Sequence, residues 1–126
     1  MHKILLVDDD ENNRDMLMRR MQRRGFEVIV AVDGDDACAK ARQDVPDLIL
    51  MDLHLPVLDG WQASRRLKGE EATRHVPIIA LTADAVLEHR RECLAAGCTA
   101  HVAKPVDFDA LVDVIQELAS DASSQM

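Results

Sequence analysis

Short, wholly apolar runs alternate with longer amphipathic stretches along this chain, five times over. The runs are Ile4–Val7, Val28–Val32, Leu48–Met51, Ile78–Leu81 and the weaker Ala100–Ala103. Each is continuously apolar rather than alternating, the pattern of strands covered on both faces in a parallel sheet. Between them, Asn12–Arg24 and Asp84–Ala96 have helical length. In the last segment Phe108, Leu111, Val112, Ile115, Leu118 and Ala119 fall on one helical stripe. Gly25 and Gly97 stand where helix C-caps belong, and Pro46, Pro56 and Pro77 fall at predicted element boundaries. The order is (βα)5. Right-handed crossovers then favour an α/β, doubly wound, five-stranded parallel sheet between two layers of helices, a three-layer sandwich.

Composition narrows the class. At 126 residues the chain is one domain's worth, long enough to bury roughly two-thirds of its unfolded surface without staples. Hydrophobic residues at 48% and charged ones at 30% are the balance of a soluble globular protein. A single domain over residues 1–119 is expected, with a disordered tail over 120–126. The formal net charge of −8 is the wrong sign for a phosphate-backbone binder, and Phe26, Trp61 and Phe108 are too few for base stacking. Nucleic acid is therefore not an expected partner. No apolar run approaches the ~20 residues of a membrane span, and the N-terminal run is too short for a signal peptide. Cys38, Cys93 and Cys98 lack CxxC spacing, so neither a disulfide framework nor a zinc site is expected, and a reducing cytoplasmic setting fits best. The cluster Arg19, Arg20, Arg23 and Arg24 closes the first predicted helix, where it complements the negative helix terminus.

The chemistry lies just past the strands. Asp8-Asp9-Asp10 follows the first, Asp52 the third, Thr82 the fourth and Lys104 the fifth. In a parallel sheet these ends share one edge, the edge at which ligands bind. Asp8, Asp9 and Asp52 brought together would repel unless a cation intervened. A hard divalent ion suits oxygen ligands, and Mg2+ suits a site that keeps waters and meets a phosphate. A carboxylate is also a nucleophile toward phosphorus. Phosphoryl transfer needs charge neutralisation around the oxygens more than covalent help, which the metal, Lys104 and the Thr82 hydroxyl supply. Each residue alone has a plainer reading: Asp9 or Asp10 as a helix N-cap, Asp52 as a turn residue, Thr82 as a cap, Lys104 as a surface lysine. Their joint arrival on one edge, in this order, favours a phosphoryl-accepting site.

The same residues carry a family resemblance. From about Lys3 to Leu118 the chain resembles the receiver domain of two-component response regulators. The matching segments are Ile4–Asp10, Pro46–Leu53, Leu55-Pro56, Asp59-Gly60, Pro77–Ala83, Gly97 and Lys104-Pro105. The resemblance implies a CheY-like, flavodoxin-like fold with strand order 2-1-3-4-5. It implies Asp52 as phosphoacceptor, Mg2+ held by Asp9, Asp8, Asp52 and the backbone carbonyl of His54, and Thr82 and Lys104 on the phosphoryl group. The Lys104-Pro105 bond is typically cis in the family, making Pro105 a cis-proline by the same token. The implied donor is a phosphohistidine on a sensor histidine kinase or a histidine phosphotransfer protein. The implied output is a conformational switch, through Thr82 and His101, of the face formed by the fourth helix, fifth strand and fifth helix, read by an unknown downstream protein. His101 departs from the pattern, since the switch position is more often Tyr or Phe. Leu55 stands where Met is common. Asp84 and His54 flank the reacting phosphate in the family and tune dephosphorylation.

Other classes fit less well. Aspartate-nucleophile phosphatases place an acid–base Asp two residues after the nucleophile, where this chain has His54. A nucleotide-binding flavodoxin-like protein needs glycine or hydroxyl groups after its first strand, and Asp8-Asp9-Asp10-Glu11 would repel a phosphate there. A docking module that is never phosphorylated would have no use for the full residue set. A signalling switch that catalyses only its own phosphorylation and dephosphorylation is therefore expected, rather than an enzyme acting on a separate substrate. The segments Ile79–Ala83 and Cys93–Gly97 look most like receivers of hybrid kinases and single-domain relay regulators.

Overall fold

The computed structural model describes residues 3–52, 60–82, 100–103 and 107–124. Its elements run β1 (Lys3–Val7), α1 (Glu11–Arg23), β2 (Glu27–Ala31), α2 (Gly34–Gln43), β3 (Leu48–Asp52), α3 (Gly60–Gly69), β4 (Ile78–Thr82), β5 (Ala100–Ala103) and α4 (Phe108–Ser124). All strand pairs are parallel, and the sheet order is β2-β1-β3-β4-β5. The strand order implied by the resemblance is present, and strands and helices alternate as expected from β1 to β4 and from β5 to α4, the predicted helix between β4 and β5 lying outside the described residues.

The continuous apolar runs have a direct cause. Successive strand residues point to opposite faces, and both faces are covered. Ile4 and Leu6 of β1, Leu48 and Leu50 of β3, and Ile79 and Leu81 of β4 pack with Leu17 and Met21 of α1 and Leu111 and Ile115 of α4. Leu5, Val7, Ile49, Met51, Ile78 and Ala80 pack on the other face with Ala37, Cys38 and Ala41 of α2 and Ala63 and Leu67 of α3. The small side chains of α2 seat that helix close to the sheet.

Strand limits differ from expectation by one residue. β2 ends at Ala31, and Val32 is 44% exposed beyond the sheet. β3 and β4 each continue one residue past their apolar runs, because the ladder pairs Asp52 with Leu81 and Thr82 with Ala103. Asp52 and Thr82 are thus terminal strand residues rather than the first residues after the strands. α4 runs to Ser124, through a segment with no Gly or Pro to stop it.

The turn after α1 fixes the entry to β2. Gly25 has φ +90°, and its N–H donates to the Gln22 carbonyl at 3.0 Å while the Phe26 N–H donates to the Met21 carbonyl at 3.2 Å. This is a Schellman motif, and the accompanying apolar contact is supplied by Phe26 and Met21, both buried in the core. Among the described residues, no helix is long and apolar enough to cross a membrane.

Candidate functional site

β1 and β3 are neighbours whose last shared register pair is Val7 with Met51. The residue that follows each in the chain is acidic: Asp8, just past β1, and Asp52, the last of β3. Asp8 is fully buried, Asp52 is 3% exposed, and Asp9 faces solvent. Asp8, Asp9 and Asp52 each offer a carboxylate oxygen, and these three atoms lie within 4.8 Å of one another. The three-carboxylate cluster expected from the sequence is therefore assembled.

Local structure explains how. Asp52 continues the Leu48–Leu50 series of β3, so it belongs to the face that α1 covers. Asp8 is held from four sides. Its N–H donates to the Ala31 carbonyl at 3.2 Å, and its Oδ1 accepts from the Asp10 N–H at 2.9 Å. Its Oδ2 accepts from Asn13 Nδ2, and its carbonyl accepts from Arg14 Nη1 at 2.9 Å. Asp10 is the N-cap of α1, accepting from the N–H groups of Asn12 at 3.1 Å and Asn13 at 3.4 Å. The choice between Asp9 and Asp10 as cap is thus decided for Asp10, which leaves Asp9 to the acidic cluster.

Asn13 and Arg14 did not figure among the residues expected at the site. Side chains in the first helical turn lean back toward the N-terminus, which brings these two onto Asp8, just past the end of β1. Two polar residues one turn after an acidic run were the available signal.

The remaining expected residues are placed less completely. Thr82 is the last residue of β4, one strand over from Asp52, and His101 lies in β5 in register with Ala80. β5 ends at Ala103, immediately before Lys104 in the chain. Lys104, Pro105, His54 and the predicted helix Asp84–Ala96 lie outside the described residues. The arginine cluster sits at the far end of α1 from Asp8. There Arg24 pairs with Asp109 at 2.8 Å, and the guanidinium carbons of Arg20 and Arg24 each stand 5.7 Å from the Phe108 ring centroid.

Three carboxylates this close repel one another, and burial of two of them raises the cost. A donor set made wholly of carboxylate oxygens suits a hard divalent cation and not zinc. Opposite ligands of one octahedral Mg2+ stand about 4 Å apart, so oxygens within 4.8 Å of one another need close in only slightly to hold such an ion with part of its water shell retained.

The sequence pattern of the family described as "Response regulator receiver domain" matches residues 4–116. The chain belongs to that family. Polar-differentiation response regulator DivK from Brucella ovis is 34% identical over 119 residues, an alignment covering 94% of this chain and 97% of DivK. Hybrid signal transduction histidine kinase M from Dictyostelium discoideum is 39% identical over 120 residues, covering 91% of this chain but only 5% of the kinase. Among solved structures, the receiver domain of sensor histidine kinase PA1611 from Pseudomonas aeruginosa, crystallised with a magnesium ion coordinated in the active site cleft, is similar. It is 39% identical with a TM-score of 0.88, over 94% of this chain and 98% of that one. This receiver is accordingly a module of two-component signalling, and the resemblance drawn from the motifs is borne out.

Proposed function

We propose that this receiver takes a phosphoryl group onto Asp52 from a phosphohistidine and works as a phosphorylation-driven switch. The supporting observation is the gathering of Asp8, Asp9 and Asp52, two of them buried, within 4.8 Å. A carboxylate oxygen of Asp52 forms the new O–P bond as the N–P bond of the phosphohistidine breaks, and the departing imidazole takes up a proton. Hydrolysis of the resulting 4-aspartylphosphate returns the carboxylate and releases phosphate.

Asp8, Asp9, Asp52 and the His54 carbonyl hold Mg2+, which when bound neutralises charge on the phosphoryl oxygens. The metal-containing cleft of the PA1611 receiver supports that reading. Thr82 donates a hydrogen bond to the phosphoryl group, and the Lys104 ammonium balances its charge. The added dianion biases a two-state equilibrium in which Thr82 and His101 move together. A swing from mostly inactive to mostly active needs a differential of roughly 5 kcal/mol. The donor is a sensor histidine kinase or a histidine phosphotransfer protein, and the output is contact with a downstream protein through the face that includes β5 and α4.

Incubation with acetyl phosphate and Mg2+, followed by mass spectrometry, tests the proposal. One phosphoryl adduct on Asp52, lost in Asp52→Asn and in the presence of a chelator, is expected. Absence of an adduct, or equal labelling of Asp52→Asn, would overturn it.

A further inference from the structure

Asn13 makes a contact that the phosphoryl chemistry described above leaves unused. Its Nδ2 donates to Oδ2 of Asp8, a carboxylate with no solvent exposure. The other oxygen, Oδ1, accepts from the Asp10 backbone N–H at 2.9 Å. Among the described residues these are the two donors on that carboxylate, one on each oxygen. Arg14 reaches the Asp8 carbonyl and not its carboxylate.

We infer that Asn13 is a positioning residue for the metal site, setting the plane of the Asp8 carboxylate so that its remaining lone pairs face the acidic cluster. This rests on the metal reading given above. The torsion about the terminal Cβ–Cγ bond of an aspartate is broad and roughly two-fold, so one hydrogen bond leaves the plane free to swing about that bond. Two donors, on different oxygens and from different directions, fix it. The Asp10 donor is backbone and is held by the cap of α1. The second donor is a side chain, and its own backbone N–H is engaged by that same cap.

The chemistry of an amide suits the task. Asn13 satisfies a buried oxygen without adding charge, so the negative potential that attracts a cation is preserved. A lysine at this position would compete with the cation. An aspartate would lose the donor and add a fourth acid. Outer hydrogen-bond partners that orient metal-binding groups are worth about 10- to 100-fold in metal affinity.

Calorimetric titration of the full chain with MgCl2, paired with the melting temperature of the metal-free protein, tests this. Asn13→Ala and the nearly isosteric Asn13→Leu are expected to weaken Mg2+ binding at least about tenfold. Asn13→Gln, which keeps the amide one methylene further out, is expected to recover part of the loss. Equal dissociation constants for wild type and both apolar variants would overturn the inference, even if those variants melted earlier, because a purely structural role moves stability and leaves metal affinity alone. Should one apolar variant fail to fold, the other and Asn13→Gln carry the comparison. Failure of the wild type to bind Mg2+ would instead remove the metal site itself, a result separable from the first.

Discussion

At Gly25 the backbone sits at φ +90°, a region costly to any residue with a Cβ. An added Cβ there would meet nothing within 4 Å, so the demand for glycine is conformational and not steric. Gly25→Ala is therefore expected to destabilise the protein by about 1 kcal/mol, read from urea unfolding, while Mg2+ affinity stays unchanged. The three consecutive aspartates are separated just as finely. Asp8 is buried and hydrogen-bonded, Asp9 faces the solvent side of the cluster, and Asp10 caps a helix. Sequence alone identified the group but not its division, because either Asp9 or Asp10 can cap a helix that starts nearby. The start of α1 at Glu11 decides it. Asn13 carried only a weak signal for a related reason. A polar residue in a first helical turn has no fixed meaning until the backbone one turn earlier is placed.

Among the elements, strands were legible because burial on both sides forces unbroken apolar runs. Their final residues were not, since a parallel ladder holds polar residues as readily as apolar ones, as the pairs of Asp52 and Thr82 show. Contacts between helices carried no sequence signal either. Arg42 of α2 grips Glu70, just past α3, through Nε to Oε2 at 2.8 Å and Nη2 to Oε1 at 2.7 Å. That hydrogen bond holds the Glu70 carboxyl below its ordinary value of 4.5, with desolvation opposing and the Arg42 charge reinforcing. A depressed carboxyl stabilises the fold above the unfolded pKa, and the contribution fades as pH falls through the folded one. The stability gap between wild type and Arg42→Met is accordingly expected in full at pH 7, should start to narrow as pH falls below about 4.5, and should close once the folded carboxyl is protonated. The pair is partly exposed, so added salt should narrow the gap at neutral pH as well. Denaturant midpoints across pH and salt read both effects.

For the molecule as a whole, an excess of acid is concentrated where the strands end. The net charge of −8 already opposes compaction, and the cluster of Asp8, Asp9 and Asp52 adds a local repulsion. Asp9→Asn is expected to raise the melting temperature of the metal-free protein by ~4 °C, corresponding to about 1 kcal/mol. With Mg2+ at a hundred times its dissociation constant the wild type is expected to gain about 2.7 kcal/mol, and the same variant should lose most of that gain. Thermal scans with and without metal would show the two curves crossing. If Asp9→Asn instead melted earlier than wild type without metal, the cluster would not be under repulsive stress.

Asp52 shares its facing with Leu48 and Leu50, whereas Ile49 and Met51 point the other way. The chemistry of this receiver is consequently tied to counting. Removing one residue from the middle of β3 would leave a run just as greasy and as ready to zip between its neighbours, yet would carry the Asp52 carboxylate to the α2–α3 side, with its back to Asp8. Odd-length changes in that strand would thus silence the rim while sparing much of the scaffold, and a change of two would restore the facing.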